Sequence, residues 1–313
     1  MTKNTPIGSK PVTIRRPRRQ RSLAAQRTRL FYWLIAPWMF GFLAFTLGPM
    51  VYYAYISLTQ YNLLNPPVFV GLANFHKMLD DPLFWQSLKV TTIYALVSVP
   101  LSLAFGLFLA VLLNQKVRGL SIFRTVFYLP SVISGVAIAE VFIWVYNPQF
   151  GVLNVILSYF GIKGPGWISS PAWALPAMIL MSLIGVGGSM IIFLAGLQGV
   201  PTTLLEAASL DGASNWRRFW TVVIPLLTPT ILFNLILSII GQFQIFTQAF
   251  VMTQGGPLNS TLFFVYYIFE NAFQYLNFGY AAAMAWVLFF IVLVLTIIVL
   301  ATSGRWVFYQ GGD

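Results

Sequence analysis

The stretch Glu206-Ala207-Ala208-Ser209-Leu210-Asp211-Gly212-Ala213 separates two long uncharged runs, at 173–205 and 222–250. It is followed by Trp216-Arg217-Arg218 and then by Val222-Val223-Ile224-Pro225. This order predicts a short helix, a glycine break, a basic and aromatic patch, and a new apolar helix. Pro225 suits the first turn of that helix, where a missing N–H group costs little. The short helix therefore lies in a connection between two very apolar segments.

Similar apolar runs recur along the chain, which is 58% hydrophobic and only 8% charged, with a mean hydropathy of +0.79. A membrane-spanning helix needs about 20 largely apolar residues, because lipid satisfies no backbone N–H or C=O group. Besides the two runs above, such runs occupy 31–57, 90–113, 277–304 and 125–146, the last with only Glu140 charged. The sequence predicts an all-α membrane protein with six transmembrane helices. The apolar segment Leu262–Phe273 is short, and we interpret it as an interfacial helix.

Basic residues are distributed unevenly between the connections. Of 18 Lys and Arg residues, 15 lie in the two ends or in the connections near 116–124 and 206–221. The opposite side receives only Lys77, Lys89 and Lys163. Because basic residues concentrate on the cytoplasmic side of membrane proteins, both termini are predicted to be cytoplasmic.

The chain divides by composition into three parts. Residues 1–29 form a basic tail, predicted to be disordered, residues 30–304 form the transmembrane domain with its connecting loop at 198–226, and residues 305–313 form a short tail. The apolar stretch after the first tail lacks a signal-peptide cleavage pattern, so we expect it to remain as the first span. The run Arg15-Arg16-Pro17-Arg18-Arg19 could suit a nucleic-acid arm, but beside a membrane span it favours charge retention and contact with anionic lipid.

Several kinds of chemistry lack their residues. The sequence contains no Gly-Lys pair, so it holds no phosphate-binding loop of the G-x-x-x-x-G-K-[ST] type. Without cysteine and with His76 as the only histidine, it offers neither a zinc site nor a Cys/His pair, and no catalytic or metal residue is predicted. His76 is interpreted as an ordinary interfacial histidine. Glu140 either lies near a helix end in contact with water or has a role in a transport pathway.

The loop around Glu206 has the features of a docking element. Small Ala207 and Ala208 permit close approach by another surface, and Glu206 offers it a carboxylate. The full spacing resembles the loop of ABC-importer permeases, which runs E-A-A, three residues, G, nine residues, I-x-L-P. The residues at those offsets here are Glu206, Ala207, Ala208, Gly212, Val222, Ile224 and Pro225.

The resemblance extends to other segments of the chain. Phe69-Val70-Gly71-Leu72-Ala73-Asn74-Phe75, Phe127-Tyr128-Leu129-Pro130 and Thr253-Gln254-Gly255-Gly256-Pro257 are similar to the carbohydrate-uptake branch, which includes maltose-type permeases. This resemblance implies the type I importer permease fold in a prokaryotic inner membrane. It also implies a second permease in a heterodimer, two ATPase subunits that bind ATP and Mg, and an extracytoplasmic solute-binding protein. Glu206, Ala207, Ala208, Asp211 and Gly212 would couple this chain to an ATPase.

Polar side chains within spans are candidates for contact with a sugar, because hydroxyl groups need directional partners. Ser238 and Gln242 lie four residues apart and share a helix face, and Gly185 to Ser189 form a flexible point of the fourth span. The alternative for such residues is helix packing. By resemblance to maltose-type permeases, the positions that line the sugar cavity are Met181, Gly185, Gly188, Ser238, Gly241 and Gln242.

Three other functions compete with that of a carbohydrate permease. A permease for glycerol phosphate or another small solute is the main alternative. A secondary transporter should show intramembrane charges for ion coupling or related half-repeats, and neither is found. A lipid-linked transferase should show clustered acidic, histidine or serine residues at a membrane face, and these are also missing.

Overall fold

A computed structural model describes residues 23–115 and 117–308 of the chain. The chain divides into two compact units, Met1–Tyr53 and Ala54–Asp313. Residues 1–22 and 309–313 of the two predicted tails lie outside the described residues. Leu23, the first described residue, is helical and lies seven residues before the predicted start of the transmembrane domain.

The first unit is built from one interrupted helix. Helix α1 (Leu23–Phe42) continues through a π-helical turn (Leu43–Leu47) into α2 (Gly48–Ser57), whose last four residues already belong to the second unit. The part from Arg27 to Ser57 is long and apolar enough to cross a membrane, and no residue in its most apolar window is buried. The predicted run at 31–57 is therefore helical throughout.

The second unit is also almost entirely helical. Its only strands among the described residues are β1 (Thr59–Gln60) and β2 (Val68–Phe69), which pair antiparallel with Thr59 opposite Phe69. Shorter 3-10 or π-helical turns lie at Trp167–Ser169, Leu183–Val186, Phe219–Val223, Ala249–Thr253 and Glu270–Gln274. The α-helices are α3 (Ala73–Leu79), α4 (Pro82–Leu113), α5 (Leu120–Val132), α6 (Gly135–Val145), α7 (Val152–Tyr159), α8 (Ala174–Ser182), α9 (Gly187–Gln198), α10 (Thr202–Leu210), α11 (Asn215–Arg218), α12 (Ile224–Phe243), α13 (Phe264–Phe269) and α14 (Phe278–Ser303).

The predicted number of spans agrees with the structure. In the described part of the chain, five helical stretches are long and apolar enough to span a membrane, and the pair α5 and α6 makes a sixth if it is one broken span. This pair is bent by 99°. The bend arises because Ile133 and Ser134 adopt extended backbone angles between the two helices. The short α13 is not among the spans, as expected for the segment Leu262–Phe273.

Helix α4 is the central packing element of the second unit. It begins at Pro82, directly after Asp81, whose carboxylate accepts a hydrogen bond from the Leu83 N–H group at 2.9 Å. Its 32 residues span about 48 Å at 1.5 Å per residue, so it is longer than the hydrocarbon core of about 30 Å. Helix α4 packs against α8, α9 and α12.

Helix α9 approaches α5 closely at Gly187. A Cβ atom at this position would lie 2.6 Å from the Phe127 carbonyl oxygen and 2.9 Å from the Tyr128 Cα atom. Only glycine leaves room for two backbones at that distance, as in other tight contacts between membrane helices. The glycine-rich segment of the fourth span therefore has a packing role at Gly187, and the 3-10 turn before it confirms that the helix is irregular there.

Candidate translocation cavity and docking loop

A cavity of about 390 Å³ lies between α4, α6, α8, the C-terminal end of α12 and the segment 244–248 that follows it. Its volume falls at the lower end of the range usual for small-molecule sites, which is about 300–1,000 Å³. The lining residues are Tyr94, Gly135, Ile138, Met178, Met181, Ser182, Gly185, Gly241, Gln242, Gln244, Ile245, Phe246, Thr247 and Gln248.

Most of the predicted substrate-contact residues meet in this cavity. Met181 and Gly185 come from the fourth span, and Gly241 and Gln242 come from the end of α12. Gly188 and Ser238, which the resemblance also implied, do not line it. Gly188 lies one turn after Gly185 and Ser238 one turn before Gln242, so both are displaced from the cavity along their helices.

The lining offers hydrogen bonds but no charged group. Its polar side chains are three glutamines, one serine, one threonine and one tyrosine. Tyr94 and Phe246 add aromatic rings, and the Tyr94 ring is held edge-on by Phe263 at a centroid distance of 5.0 Å. Amide and hydroxyl groups beside aromatic faces suit a polyhydroxylated solute with apolar ring faces.

Sequence reasoning missed part of the lining. Tyr94, Phe246 and Thr247 were not singled out, although Tyr94 and Thr247 carry hydroxyl groups within long apolar runs. A tyrosine in such a run needs a polar partner when it is buried, and this was the available signal. Ser182, which lines the same cavity, is the polar side chain available to the Tyr94 hydroxyl.

The predicted docking loop is a helix with a well-defined end. Helix α10 ends in a hydrogen-bond pattern in which Gly212 N–H donates to Ser209 O at 3.1 Å and Ala213 N–H donates to Ala208 O at 3.0 Å. This is the Schellman pattern, which places the residue after the helix in the left-handed region. Gly212 has φ +75°, so a glycine at this position of the motif meets a backbone requirement.

The loop is stabilised internally and remains exposed. Ser214 caps α11 by accepting a hydrogen bond from the Arg217 N–H group at 3.3 Å, and the Arg218 guanidinium donates to Leu205 O at 3.5 Å and to Asn215. Helix α10 buries none of its residues, and Leu210 is 91% exposed. Of the predicted coupling residues, Ala208 is half-buried, and the exposed ones are Glu206, Ala207, Asp211 and Gly212.

A second polar cluster surrounds Asp81, outside the spanning helices. Its carboxylate accepts hydrogen bonds from the Tyr280 hydroxyl at 2.6 Å and from the Tyr267 hydroxyl at 2.7 Å. Burial acts to raise the pKa of Asp81, but these bonds, with backbone N–H groups of Leu83 and Phe84, hold it below its usual value. The cluster joins the start of α4 to α13 and to the start of α14. Asp81 lies 186 residues before Tyr267 and 199 residues before Tyr280 in the chain.

The remaining ionisable candidates have simple surroundings. His76 is exposed, and its Nδ1 atom lies 3.1 Å from Leu72 O within its own helix, in agreement with an ordinary histidine. Glu140 lies in the middle of α6 and is exposed. Among the described residues, no group of three or more His, Cys, Asp or Glu side chains could hold a metal ion.

The fold agrees with what the chain is similar to. Residues 102–307 match the family described as the binding-protein-dependent transport system inner membrane component, and the chain belongs to this family. It is therefore a non-enzymatic membrane component of an ABC transport system in the inner membrane. This membership excludes the transferase and secondary-transporter alternatives.

Curated relatives include permeases named for different solutes. The probable ABC transporter permease protein YesP of Bacillus subtilis is 45% identical over 90% of this chain and 93% of its own length. The lactose transport system permease protein LacF of Rhizobium radiobacter is 39% identical over 73% and 78%. The sn-glycerol-3-phosphate transport system permease protein UgpA of Agrobacterium fabrum is 36% identical over 73% and 78%.

A solved structure shares the fold. It is a bacterial alginate ABC transporter in complex with an alginate pentasaccharide-bound periplasmic protein. One of its chains superimposes with a TM-score of 0.78 and 22% sequence identity, covering 90% of this chain and 96% of that one. The chain described here therefore has the permease fold of an ABC importer, as the resemblance implied.

Proposed function

We propose that this chain forms one half of the translocation pathway of an ABC importer for a neutral carbohydrate, paired with a second permease. The observation that carries the proposal is the uncharged cavity between α4, α6, α8 and α12, with its amide, hydroxyl and aromatic groups. The cavity is open at the surface of this chain, as expected for a pathway that a second subunit completes. A solute-binding protein would deliver the solute to it.

Neutrality of the solute follows from the cavity's side chains. A phosphate or carboxylate at membrane depth needs a cationic partner, because an unpaired buried charge is very costly. The cavity lining holds Gln242, Gln244 and Gln248 but no lysine, arginine or histidine. A lactose-type relative supports a sugar as the solute.

The second candidate is a permease for glycerol phosphate or a similar anion. It is favoured by the relative named for sn-glycerol-3-phosphate. In that case the second permease would have to supply the cation. The two candidates therefore differ in one testable property, the charge of the preferred solute.

Energy would reach the cavity through the loop at 198–226. Because α10 buries none of its residues and has a fixed end at Gly212, it can insert as a rigid element into a cleft of another protein. Glu206 would meet a basic residue of an ATPase subunit, with Ala207, Ala208, Asp211 and Gly212 at the contact. ATP and Mg would be bound by two such ATPase subunits and not by this chain. Both termini would lie on the same cytoplasmic side as the loop.

The test is transport by the reconstituted complex of this chain with the second permease, the ATPase and the solute-binding protein. We expect ATP-dependent uptake of a neutral oligosaccharide in preference to glycerol phosphate. Preferential uptake of the phosphorylated solute would overturn the neutral-solute proposal.

The orientation has a separate test. A reporter fused after Asp313 should be cytoplasmic, and an external signal would contradict the orientation.

A further inference from the structure

Helix α6 has one packed face and one free face. Ile138, Phe142 and Val145 pack against the buried cluster that includes Tyr146 and Met181. Ile138 also lines the cavity. At 100° per residue, Glu140 lies about 200° around the helix from Ile138, on the opposite face. Its carboxylate therefore points away from the cavity of this chain.

The free face is apolar apart from this one carboxylate. Val136 and Trp144, one turn before and one turn after Glu140 on the outer side of α6, are 49% and 71% exposed, and Val141 at the edge of this face is 60% exposed. No hydrogen bond or ion pair to the Glu140 side chain exists within residues 23–115 and 117–308. Glu140 lies five residues from each end of α6, about 7.5 Å along the axis.

Lipid alone would leave the Glu140 carboxylate on the free face of α6 unpaired. A carboxylate within a membrane segment is costly unless it pairs with another group, and such residues nearly always face protein or water. The apolar neighbours of Glu140 argue against an aqueous surface, because large exposed side chains such as Trp144 would then also be in water. An apolar protein surface that carries one basic side chain would bury the valines and would pair with the Glu140 carboxylate.

We propose that Glu140 pairs with a lysine or arginine on a membrane helix of the second permease, which packs over the outer face of α6. This inference rests on the proposed pairing of two permeases and adds to it the place and the chemistry of the contact. The charge pair would fix which helix of the second permease lies beside α6. Glu140 would thus be a positioning residue of the assembly and not a contact of the solute.

The first experiment measures whether the site is covered. Because the native chain has no cysteine, Val136→Cys carries a single thiol one turn before Glu140 on the same side of α6 and leaves Glu140 in place. Lys163→Cys, at an exposed residue between α7 and α8, is the matched control. In the complete complex in nanodiscs, a water-soluble maleimide should label the control at least about ten-fold faster than position 136. Equally fast labelling would place this face of α6 in water and overturn the proposal.

The second experiment measures assembly. Glu140→Leu should reduce the amount of second permease that copurifies by at least about ten-fold, because a cation in the second permease would lose its partner. Glu140→Asp, which keeps the charge, should restore most of it. Asp80→Asn removes an exposed carboxylate outside the spans and should have no effect.

Loss of assembly in Glu140→Leu cannot arise from failed insertion, because leucine favours the membrane more than glutamate does. Native-like assembly of Glu140→Leu would overturn the proposal and indicate that lipid covers α6. Failure of the proposed function is distinguishable, since the native chain itself would then purify without a second permease.

Discussion

The docking loop and the cavity are built in opposite ways. The loop comes from one contiguous segment, and its shape is fixed by hydrogen bonds between neighbours such as Gly212 and Ser209. The cavity joins residues as far apart as Tyr94 and Gln248, from four helices and the segment that follows α12. A local element keeps its form when its surroundings move, whereas a cavity between helices changes when they shift. This difference suits a transporter in which a rigid contact drives a deformable pathway.

The largest effect is expected in the loop. Glu206→Lys should lower ATP-driven uptake by about 100-fold or more, because two like charges would oppose each other in the ATPase contact and cost several kcal/mol. ATPase copurification and uptake are the measurements. Glu270→Gln, at a carboxylate outside the spans and the loop, is the control. A Glu206→Lys complex that keeps its ATPase and transports normally would contradict the role of the loop.

The next effect distinguishes the cavity from its surroundings. A Cβ atom at Gly241 or at Gly188 would meet no atom within 4 Å, so both sites have room for a side chain in the isolated chain. Only Gly241 lines the cavity. Gly241→Leu should therefore lower uptake of an oligosaccharide by more than about ten-fold, or about 1.4 kcal/mol, while Gly188→Leu should change it little. Equal losses of uptake in the two variants would mean that the solute pathway also passes Gly188.

A smaller effect should come from a single hydrogen-bonding group. Gln242→Leu keeps similar bulk but removes the amide donors and the acceptor, which should weaken contact with a sugar hydroxyl by about 1–3 kcal/mol. Uptake should fall while the affinity of the solute-binding protein is unchanged. Ser238→Ala is the matched control, because Ser238 lies outside the lining. Unaltered uptake with normal expression would return Gln242 to a packing role.

The smallest effect concerns stability at Asp81, which belongs to neither region. Asp81→Asn should lower the free energy of unfolding by about 1–2 kcal/mol, since Asp81 is only partly buried and its two tyrosine bonds would weaken. Its folded pKa lies below the unfolded value near 4. The stabilisation is therefore present above about pH 4 and is lost as the pH falls through the folded pKa. Thermal unfolding of both proteins at pH 7 and pH 3 measures it.

The difference between the docking loop and the cavity also explains what could be predicted from sequence. The apolar helices and the short helix that ends at Gly212 were predicted correctly because each depends on nearby residues: length and hydropathy for the apolar helices, and the glycine after Asp211 for the helix end. The bend between α5 and α6 was missed, because hydropathy is the same for a straight and a broken span. Tyr94 was missed because its place in the cavity depends on α8 and α12, which are distant in sequence.

The single most direct measurement is the number of ATP molecules hydrolysed per solute transported, in complexes that contain either Gln242→Leu or Glu206→Lys. The two regions should fail differently. Gln242→Leu should lower transport while ATP hydrolysis still responds to docking of the solute-binding protein, so more ATP should be hydrolysed per solute transported. It should also alter which solutes are accepted. Glu206→Lys should lower hydrolysis and transport together without altering solute preference. If both variants changed solute preference, or neither lowered transport, the account of one chain with a docking loop and a separate solute cavity would be contradicted.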